Sequence, residues 1–353
     1  MNEAPETGTE TDTETGTEIP PELVTQMTGW RRDFHRHPEP GFAEERTSAH
    51  IASLLESFGI EVHRNIGKTG IVGILQRGNG PGSIAFRADM DALPVTETGT
   101  PEWVSVHDGA MHACGHDGHT AMLLGAACHL AAKGDFNGRI VFIFQPNEEH
   151  GQGARAMIDD GLFQRFPANA VFAMHNIPGM KAGSFATRAG PMTASESLFE
   201  LSVTARGGHA ALPHMGVDAI LVGAQLVTAL QSIVSRKLDP ARNGVVSITE
   251  FITDGSRNVL PSSALLKGDA RALSDDTNHA IEAHMRRIAA GIAAAHHVDI
   301  KVTYDTIFPS LTNDASAVSH AIAAAKTISD TVDLACDAKL FSEDFAHMAR
   351  TIP

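Results

Sequence analysis

Residues 111–120 limit the structures that this chain can form more than any other stretch does. They hold three histidines, one cysteine and one aspartate directly ahead of an apolar helical pattern. Cys114 and His116 are two residues apart, so they cannot share a face of a helix. On one side of an extended turn, however, a thiolate and an imidazole can bind one metal ion. Glycines at 115 and 118 allow the tight bend that this requires. The alternative interpretation is a polar turn that caps a helix beginning near His119.

Length and charge exclude several classes of protein. A chain of 353 residues favours two domains. The formal net charge of −15 argues against a nucleic-acid partner and against binding to an anionic membrane. We expect no apolar run of membrane-spanning length. The N-terminus lacks a secretory pattern, so a cytoplasmic location is expected. Residues 1–22 carry seven acids and no Lys or Arg, which predicts a disordered acidic tail over residues 1–20.

Polar side chains follow three apolar runs that we predict to be strands, residues 83–87, 139–144 and 170–174. These side chains are Asp89, Asp91, Glu148, Glu149 and His175. The predicted strands alternate with helical patterns, which indicates an open α/β sheet. In such sheets, sites form outside the carboxyl ends of the strands. Each polar strand end could be an ordinary turn, but together with Cys114 and His116 they predict one shared metal site.

The pattern changes near residue 190. Residues 198–304 read as strand, helix, two strands, helix and strand, which is the order of a split-βαβ, ferredoxin-like unit. We therefore predict an α/β fold with a mixed, mostly parallel sheet and helices on both faces, built from residues 21–190 and 306–353. Residues 191–305 would form an inserted α+β domain.

Eight segments together resemble a known superfamily. They follow the order of that family from residue 30 to the end of the chain: 34–39, 87–94, 111–120, 145–149, 174–176, 207–214, 258–261 and 342–345. The sequence resembles the dinuclear metallo-aminoacylases and carboxypeptidases. Within that superfamily it is most similar to the branch that includes hippurate hydrolases, auxin-conjugate amidohydrolases and N-acetyl-diaminopimelate deacetylases.

The resemblance implies a ligand set for two divalent ions, which could be Mn, Zn, Ni or Co because a mixed site accepts several first-row metals. The implied ligands are Cys114, His116, Glu149 and His175, with Cys114 able to bridge the two ions. Such ions would lower the pKa of a shared water and polarise the scissile carbonyl.

The same resemblance implies roles for five further residues. Glu148 would be the general base for amide hydrolysis, and Asp91 would orient a ligand histidine. Residues 191–305 would serve as lid and dimerisation domain, and from there His209 would reach the site of a partner subunit in a homodimer and donate to the oxyanion. Asn258 and Arg271 would bind the free carboxylate of an N-acyl amino acid, a task for which the guanidinium fork of arginine is suited.

One family feature is not matched. A further histidine beyond the segment 342–345 completes the second metal site in the family. Here the only later histidine is His347, which lies within a predicted helix and does not match. If the protein itself ends at residue 353, we expect one metal site to be weakened and the edge of the sheet to be exposed.

Three other functions compete with the N-acyl-amino-acid amidohydrolase. A dipeptidase or carboxypeptidase of the same superfamily would use the same chemistry. A catalytically impaired protein that only binds acylated amino acids would explain the unmatched histidine, although Glu148 and four ligands argue against it. A structural zinc protein would need a closed set of four clustered Cys or His ligands, which the three cysteines do not supply.

Overall fold

The computed structural model describes residues 19–353, so nearly all of the predicted acidic tail, residues 1–20, lies outside the described part. The helices are α1 (Pro21–Arg36), α2 (Glu45–Ser57), α3 (His116–Lys133), α4 (Gly153–Asp159), α5 (Leu162–Arg165), α6 (Ala219–Ser232), α7 (Asp275–His296), α8 (Ala315–Ala325) and α9 (Ala346–Ala349). The strands of the two larger sheets are β1 (Glu61–Ile66), β2 (Gly70–Arg77), β3 (Ser83–Asp89), β4 (Gly138–Gln145), β5 (Ala170–Ala173), β8 (Ser195–Thr204), β10 (Gly244–Thr253), β12 (Ser263–Ala272) and β13 (Asp299–Phe308). Short pairings are made by β6 (Phe185–Ala186), β7 (Gly190–Thr193), β9 (Gly208–His209), β11 (Val259–Leu260), β14 (Leu311–Asn313) and β15 (Val332–Asp333).

The first sheet has five strands in the order β1-β2-β4-β3-β5. Strands β3, β4 and β5 are parallel to one another, whereas β1 pairs with β2, and β2 with β4, in antiparallel orientation. Alternate side chains of β4 enter two different cores, because successive residues of a strand point to opposite faces. Phe142 and Phe144 pack with α1, α2 and α3, while Val141 and Ile143 pack with α4, α5 and α9. The prediction of an α/β fold with helices on both faces of a mixed sheet is confirmed.

Helix α3 begins at His116, three residues before the expected start near His119. Gly115 precedes it with a φ of 95°, a left-handed conformation that glycine adopts without strain. The turn therefore ends at Gly115, and His116 and His119 lie three residues apart on one face of the first helical turn. The prediction that Cys114 and His116 share an extended turn was wrong for His116.

The second sheet is antiparallel, with four strands in the order β10-β12-β8-β13. Buried and accessible residues alternate along β8 and β12, which is typical of strands with one face on a core. That core is shared with α6 and α7, for example through Phe199, Leu226 and Met285. Strand order and element order are those of a split-βαβ unit.

One stretch, Ala219–Lys237, is long and apolar enough to cross a membrane by length and composition alone. No such run was expected from the sequence. Its residues Val222, Leu226 and Leu230 are fully buried in the core of the four-stranded sheet. This packing favours a core helix of a folded domain.

Candidate metal centre

Four polar segments meet at the carboxyl edge of the five-stranded sheet. Strands β3, β4 and β5 run parallel and end at this edge, and the N-terminus of α3 lies beside them. Cys114 Sγ lies 3.4 Å from His175 Nε2, although the two residues are 61 positions apart. Ligand atoms of Cys114, His116 and His175 all lie within 4.8 Å of one another. Residues that the sequence pattern singled out therefore lie close together at this edge.

Asp91 fixes the orientation of His116. Its Oδ1 lies 3.2 Å and its backbone oxygen 3.0 Å from His116 Nδ1. A proton on Nδ1 leaves Nε2 free, and this atom is buried without a hydrogen-bond partner among the described residues. Asp91 Oδ2 also accepts a hydrogen bond of 3.1 Å from the backbone N–H of Glu149. Asp91 therefore orients both His116 and the turn that carries the glutamates.

Glu148 and Glu149 face His116 from the turn after β4. The distance from His116 Nε2 is 4.0 Å to Glu148 Oε2 and 3.9 Å to Glu149 Oε1. Burial raises the pKa of Glu149 to about 7. Burial, with repulsion from Glu343 and Asp344, raises the pKa of Glu148 well above its usual range. Two carboxyl groups with elevated proton affinity thus point at one imidazole nitrogen.

The donor atoms fit a divalent metal ion. Two ligand atoms about 2 Å from one ion lie about 3 to 4 Å apart, which matches the Cys114–His175 and His116–Glu149 separations. Glu149 Oε1, like His116 Nε2, is buried and lacks a hydrogen-bond partner in the described chain. Buried polar atoms are normally paired, so these two atoms are suited to bind a metal ion. Cys114/His116/His175 and His116/Glu148/Glu149 form two triads that share His116.

The sulfur donor is prepared for a cation. Burial by itself would raise the pKa of the Cys114 thiol, but the neighbouring His116 and His175 imidazoles lower it to about 6. A thiolate, two imidazoles and a carboxylate together suit first-row ions rather than Mg²⁺ or Ca²⁺.

Two supporting residues, His119 and Arg87, were missed by the selection of site residues from sequence. His119 Nδ1 bonds Asp89 Oδ1 at 2.6 Å, and its Nε2 accepts a hydrogen bond from the Asn176 N–H. Arg87 is buried and donates to Asp89, Glu343, Asp344 and Gln145. The spacing of three between His116 and His119 was a usable signal for His119. The sequence held no comparable signal for Arg87, since its acidic partners at 343 and 344 lie more than 250 positions away.

His209, Asn258 and Arg271 lie on or beside the second sheet. His209 on β9 pairs with Val259 on β11, and the N–H of Ala210 donates to the oxygen of Asn258. The backbone segments that carry His209 and Asn258 are therefore paired, but neither residue belongs to the clusters of candidate metal ligands within residues 19–353. Arg271 bonds Glu196 and Asp269 at 2.8 Å each, and donates to Ser342 Oγ at 2.9 Å. Arg271 alone of the three touches the segment next to Glu343.

Comparison with known proteins identifies the family. Residues 85–353 match the family described as peptidase family M20/M25/M40. The chain is 42% identical to hippurate hydrolase of Campylobacter jejuni over 87% of this chain and 80% of the relative. It is 38% identical to N-acetylcysteine deacetylase of Bacillus subtilis over 93% of this chain and 86% of the relative.

A solved structure agrees with this assignment. The YXEP protein of Bacillus subtilis, described as a dinuclear metal binding peptidase from the M20 family, superposes with a TM-score of 0.81 at 34% identity. The alignment covers 94% of this chain and 87% of that one. The chain therefore belongs to peptidase family M20/M25/M40, in its amidohydrolase branch, and is a hydrolase that acts on amide bonds.

Proposed function

We propose that this protein hydrolyses the amide bond of N-acyl amino acids, such as N-acetyl or N-benzoyl amino acids, with Glu148 as general base. The observation that carries the proposal is the position of Glu148. It is buried, its carboxylate lies 4.0 Å from the free nitrogen of His116, and the adjacent Glu149 faces the same nitrogen. The names of relatives that act on hippurate and N-acetylcysteine support the substrate class.

Cys114, His116, Glu149 and His175 would hold the two divalent ions, drawn from Mn, Zn, Ni or Co. Bound at these residues, the ions would supply Lewis acidity to the scissile carbonyl and to the attacking water. Glu148 Oε2 accepts a proton from that water while the water oxygen bonds to the carbonyl carbon. The same carboxyl group then delivers the proton to the amide nitrogen as the C–N bond breaks, releasing a carboxylic acid and a free amino acid.

The raised pKa of Glu148 supports this double role. Burial and repulsion from Glu343 and Asp344 raise the proton affinity of this carboxylate, which favours its acceptance of a proton from the attacking water. In the proposal, Asp91 keeps His116 in the tautomer that presents Nε2 to the ions. His209 of a partner subunit would donate to the oxyanion, and Asn258 with Arg271 would bind the substrate carboxylate.

A homodimer through residues 191–305 is part of the proposal, as is a cytoplasmic location. Strand β10 is an edge of its sheet, and its Phe251 and Ile252 are exposed. Ile220 and Leu221 at the start of α6 are exposed as well. An edge strand beside exposed apolar side chains is a suitable surface for a second copy of the chain.

The test is hydrolysis of a substrate panel by the full chain reconstituted with Mn, Zn, Co or Ni. The panel holds N-acetyl amino acids, N-benzoylglycine and simple dipeptides, and the readout is release of free amino acid. We expect N-acyl amino acids to be cleaved, and Glu148→Gln to lower kcat by about 10² to 10⁴ while Co²⁺ binding is retained.

Two outcomes would contradict the proposal. Cleavage of dipeptides but not of N-acyl amino acids would favour the dipeptidase or carboxypeptidase alternative. No cleavage of any substrate by folded, metal-loaded protein would favour the protein that only binds acylated amino acids.

A further inference from the structure

The turn that carries Glu148 and Glu149 begins with a residue in an unusual conformation. Asn147 follows β4 with a φ of 47°, in the left-handed region, and is buried. A residue other than glycine stays in this region only when its surroundings hold it there, although Asn tolerates it better than most. The direction of the chain into Glu148 and Glu149 depends on this one backbone angle, so the groups that hold Asn147 matter for both glutamates.

Asn147 is held at three points. Its backbone N–H donates to Glu44 Oε1 at 2.9 Å, and its carbonyl oxygen accepts from the Gly153 N–H at 3.1 Å. Its side-chain oxygen lies 2.8 Å from His150 Nδ1. Gly41 leaves the space for that side chain, because a Cβ at position 41 would collide with Asn147 Oδ1. Two of these contacts come from within the turn, and the Glu44 bond reaches it from outside.

Glu44 is committed to this contact by its own surroundings. It lies directly before α2 and is fully buried. Its second oxygen, Oε2, does not face Asn147 and accepts a hydrogen bond of 2.6 Å from Thr69 Oγ1. Asp91 makes a parallel contact two residues further along the turn, where it accepts from the Glu149 N–H. Two buried carboxylates from different segments therefore hold the amides of residues 147 and 149.

We propose that Glu44 is a positioning residue for Glu148 and Glu149, acting through the backbone of Asn147. The proposal rests on the proposed function for the role of Glu148 as base and Glu149 as ligand. Without the Glu44 carboxylate, the buried N–H of Asn147 loses its partner, and an unpaired buried donor is unfavourable. The turn then relaxes from the left-handed angle and moves both glutamates relative to His116. Displacements of about 1 Å at a catalytic group are enough to lower the rate by about 10²-fold.

The test compares four variants of the full chain: Glu44→Leu, Glu44→Asp, Glu44→Gln and Thr69→Val. We expect Glu44→Leu and Glu44→Asp to lower kcat by about 10- to 100-fold, with a smaller change in KM. Glu44→Gln keeps an oxygen that can accept from Asn147 and should restore most of the activity. Thr69→Val removes the other hydrogen bond of Glu44, so it controls for a general loss of stability and should keep kcat near that of the wild type.

Co²⁺ titration followed by visible absorption provides a readout that needs no substrate. Because Glu149 is a proposed ligand, Glu44→Leu and Glu44→Asp should bind Co²⁺ about tenfold or more weakly than the wild type, whereas Glu44→Gln and Thr69→Val should not. If Glu44→Leu does not fold, Glu44→Asp against Glu44→Gln decides the question.

Wild-type Co²⁺ affinity in Glu44→Asp, or an equal loss in Thr69→Val, would overturn the proposal. The Co²⁺ result also separates the two hypotheses. A wild-type protein that cleaves no substrate defeats the proposed function, while the order of Co²⁺ affinities among the variants still decides the role of Glu44.

Discussion

The carboxyl edge of the five-stranded sheet and the two-stranded β9–β11 region both carry proposed functional residues, but they are built differently. At the sheet edge, His116 is fully buried, and its Nδ1 is held by Asp91. In the β9–β11 region, His209 is exposed, and its Nδ1 accepts from the backbone N–H of Ala211, two residues away. The side chain of His116 is held by a distant segment, whereas the hydrogen bond of the His209 side chain is to its own loop.

This difference separates two kinds of requirement. Groups that bind a cation must keep fixed mutual distances, so each needs a partner that limits its movement. A residue that meets a substrate only after a lid or a partner subunit approaches does not need such support in the free chain. The backbone pairing of β9 with β11 is sufficient to present His209. The comparison therefore predicts that substitutions at the sheet edge affect folding, and that those on β9–β11 affect only catalysis.

The largest expected effect is on stability, at Arg87. This buried guanidinium pairs with Asp89, Glu343 and Asp344, so Arg87→Met would remove the arginine that these three buried carboxyl groups share. We expect the free energy of unfolding to fall by about 3 to 5 kcal/mol, as for other broken buried pairs. Urea denaturation followed by circular dichroism would measure it.

The matched control for Arg87 is Arg271→Met on the second sheet. Arg271 also pairs with two carboxylates, Glu196 and Asp269, but all three side chains are partly accessible to water. The expected loss is about 1 kcal/mol or less. Equal losses in the two variants would show that burial does not distinguish the two regions.

The site at the sheet edge could be predicted from the sequence because the patterns that indicate it are local. Apolar strands followed by acids predict a shared edge when the strands are parallel, and the structure has this arrangement for β3, β4 and β5. The Glu44–Asn147 and Arg87–Glu343 contacts could not be predicted from local patterns, since they join residues 103 and 256 positions apart. The relation of His209 to the metal centre was not predictable either, because it depends on how two sheets, and two proposed subunits, approach each other.

The second prediction concerns His209, where folding and catalysis should separate. His209→Ala is expected to lower kcat by about 10² to 10³, the usual loss for one oxyanion donor. The melting temperature and Co²⁺ affinity should stay unchanged, because its described side-chain hydrogen bond is a local one to Ala211. Steady-state kinetics and differential scanning fluorimetry would measure these quantities.

A mixing experiment tests whether His209 acts in the partner's site. Subunits with Glu148→Gln and subunits with His209→Ala are each nearly inactive in this prediction. After unfolding and refolding together, a mixed dimer would contain one site with both Glu148 and a partner His209, and activity should return. If activity does not return although mixed dimers form, His209 acts within its own subunit or not at all.

The smallest expected effect is the pH dependence of stability at His35, which contacts the sheet-edge region from α1. His35 Nδ1 lies 2.9 Å from Asp117 Oδ2, and this hydrogen bond raises the pKa of His35 above its usual value of 6.5. A raised pKa means that the protonated form stabilises the folded state. The contribution is complete below about pH 6.5 and is lost as the pH rises through the folded-state pKa.

His35→Gln should therefore reduce the free energy of unfolding more at pH 5.5 than at pH 9, as measured by urea denaturation. His209→Gln, at an exposed position, should change it little at either pH. A loss at His35 that is equal at both pH values would show that the imidazole acts there by packing rather than by charge, and would weaken the contrast between the two regions.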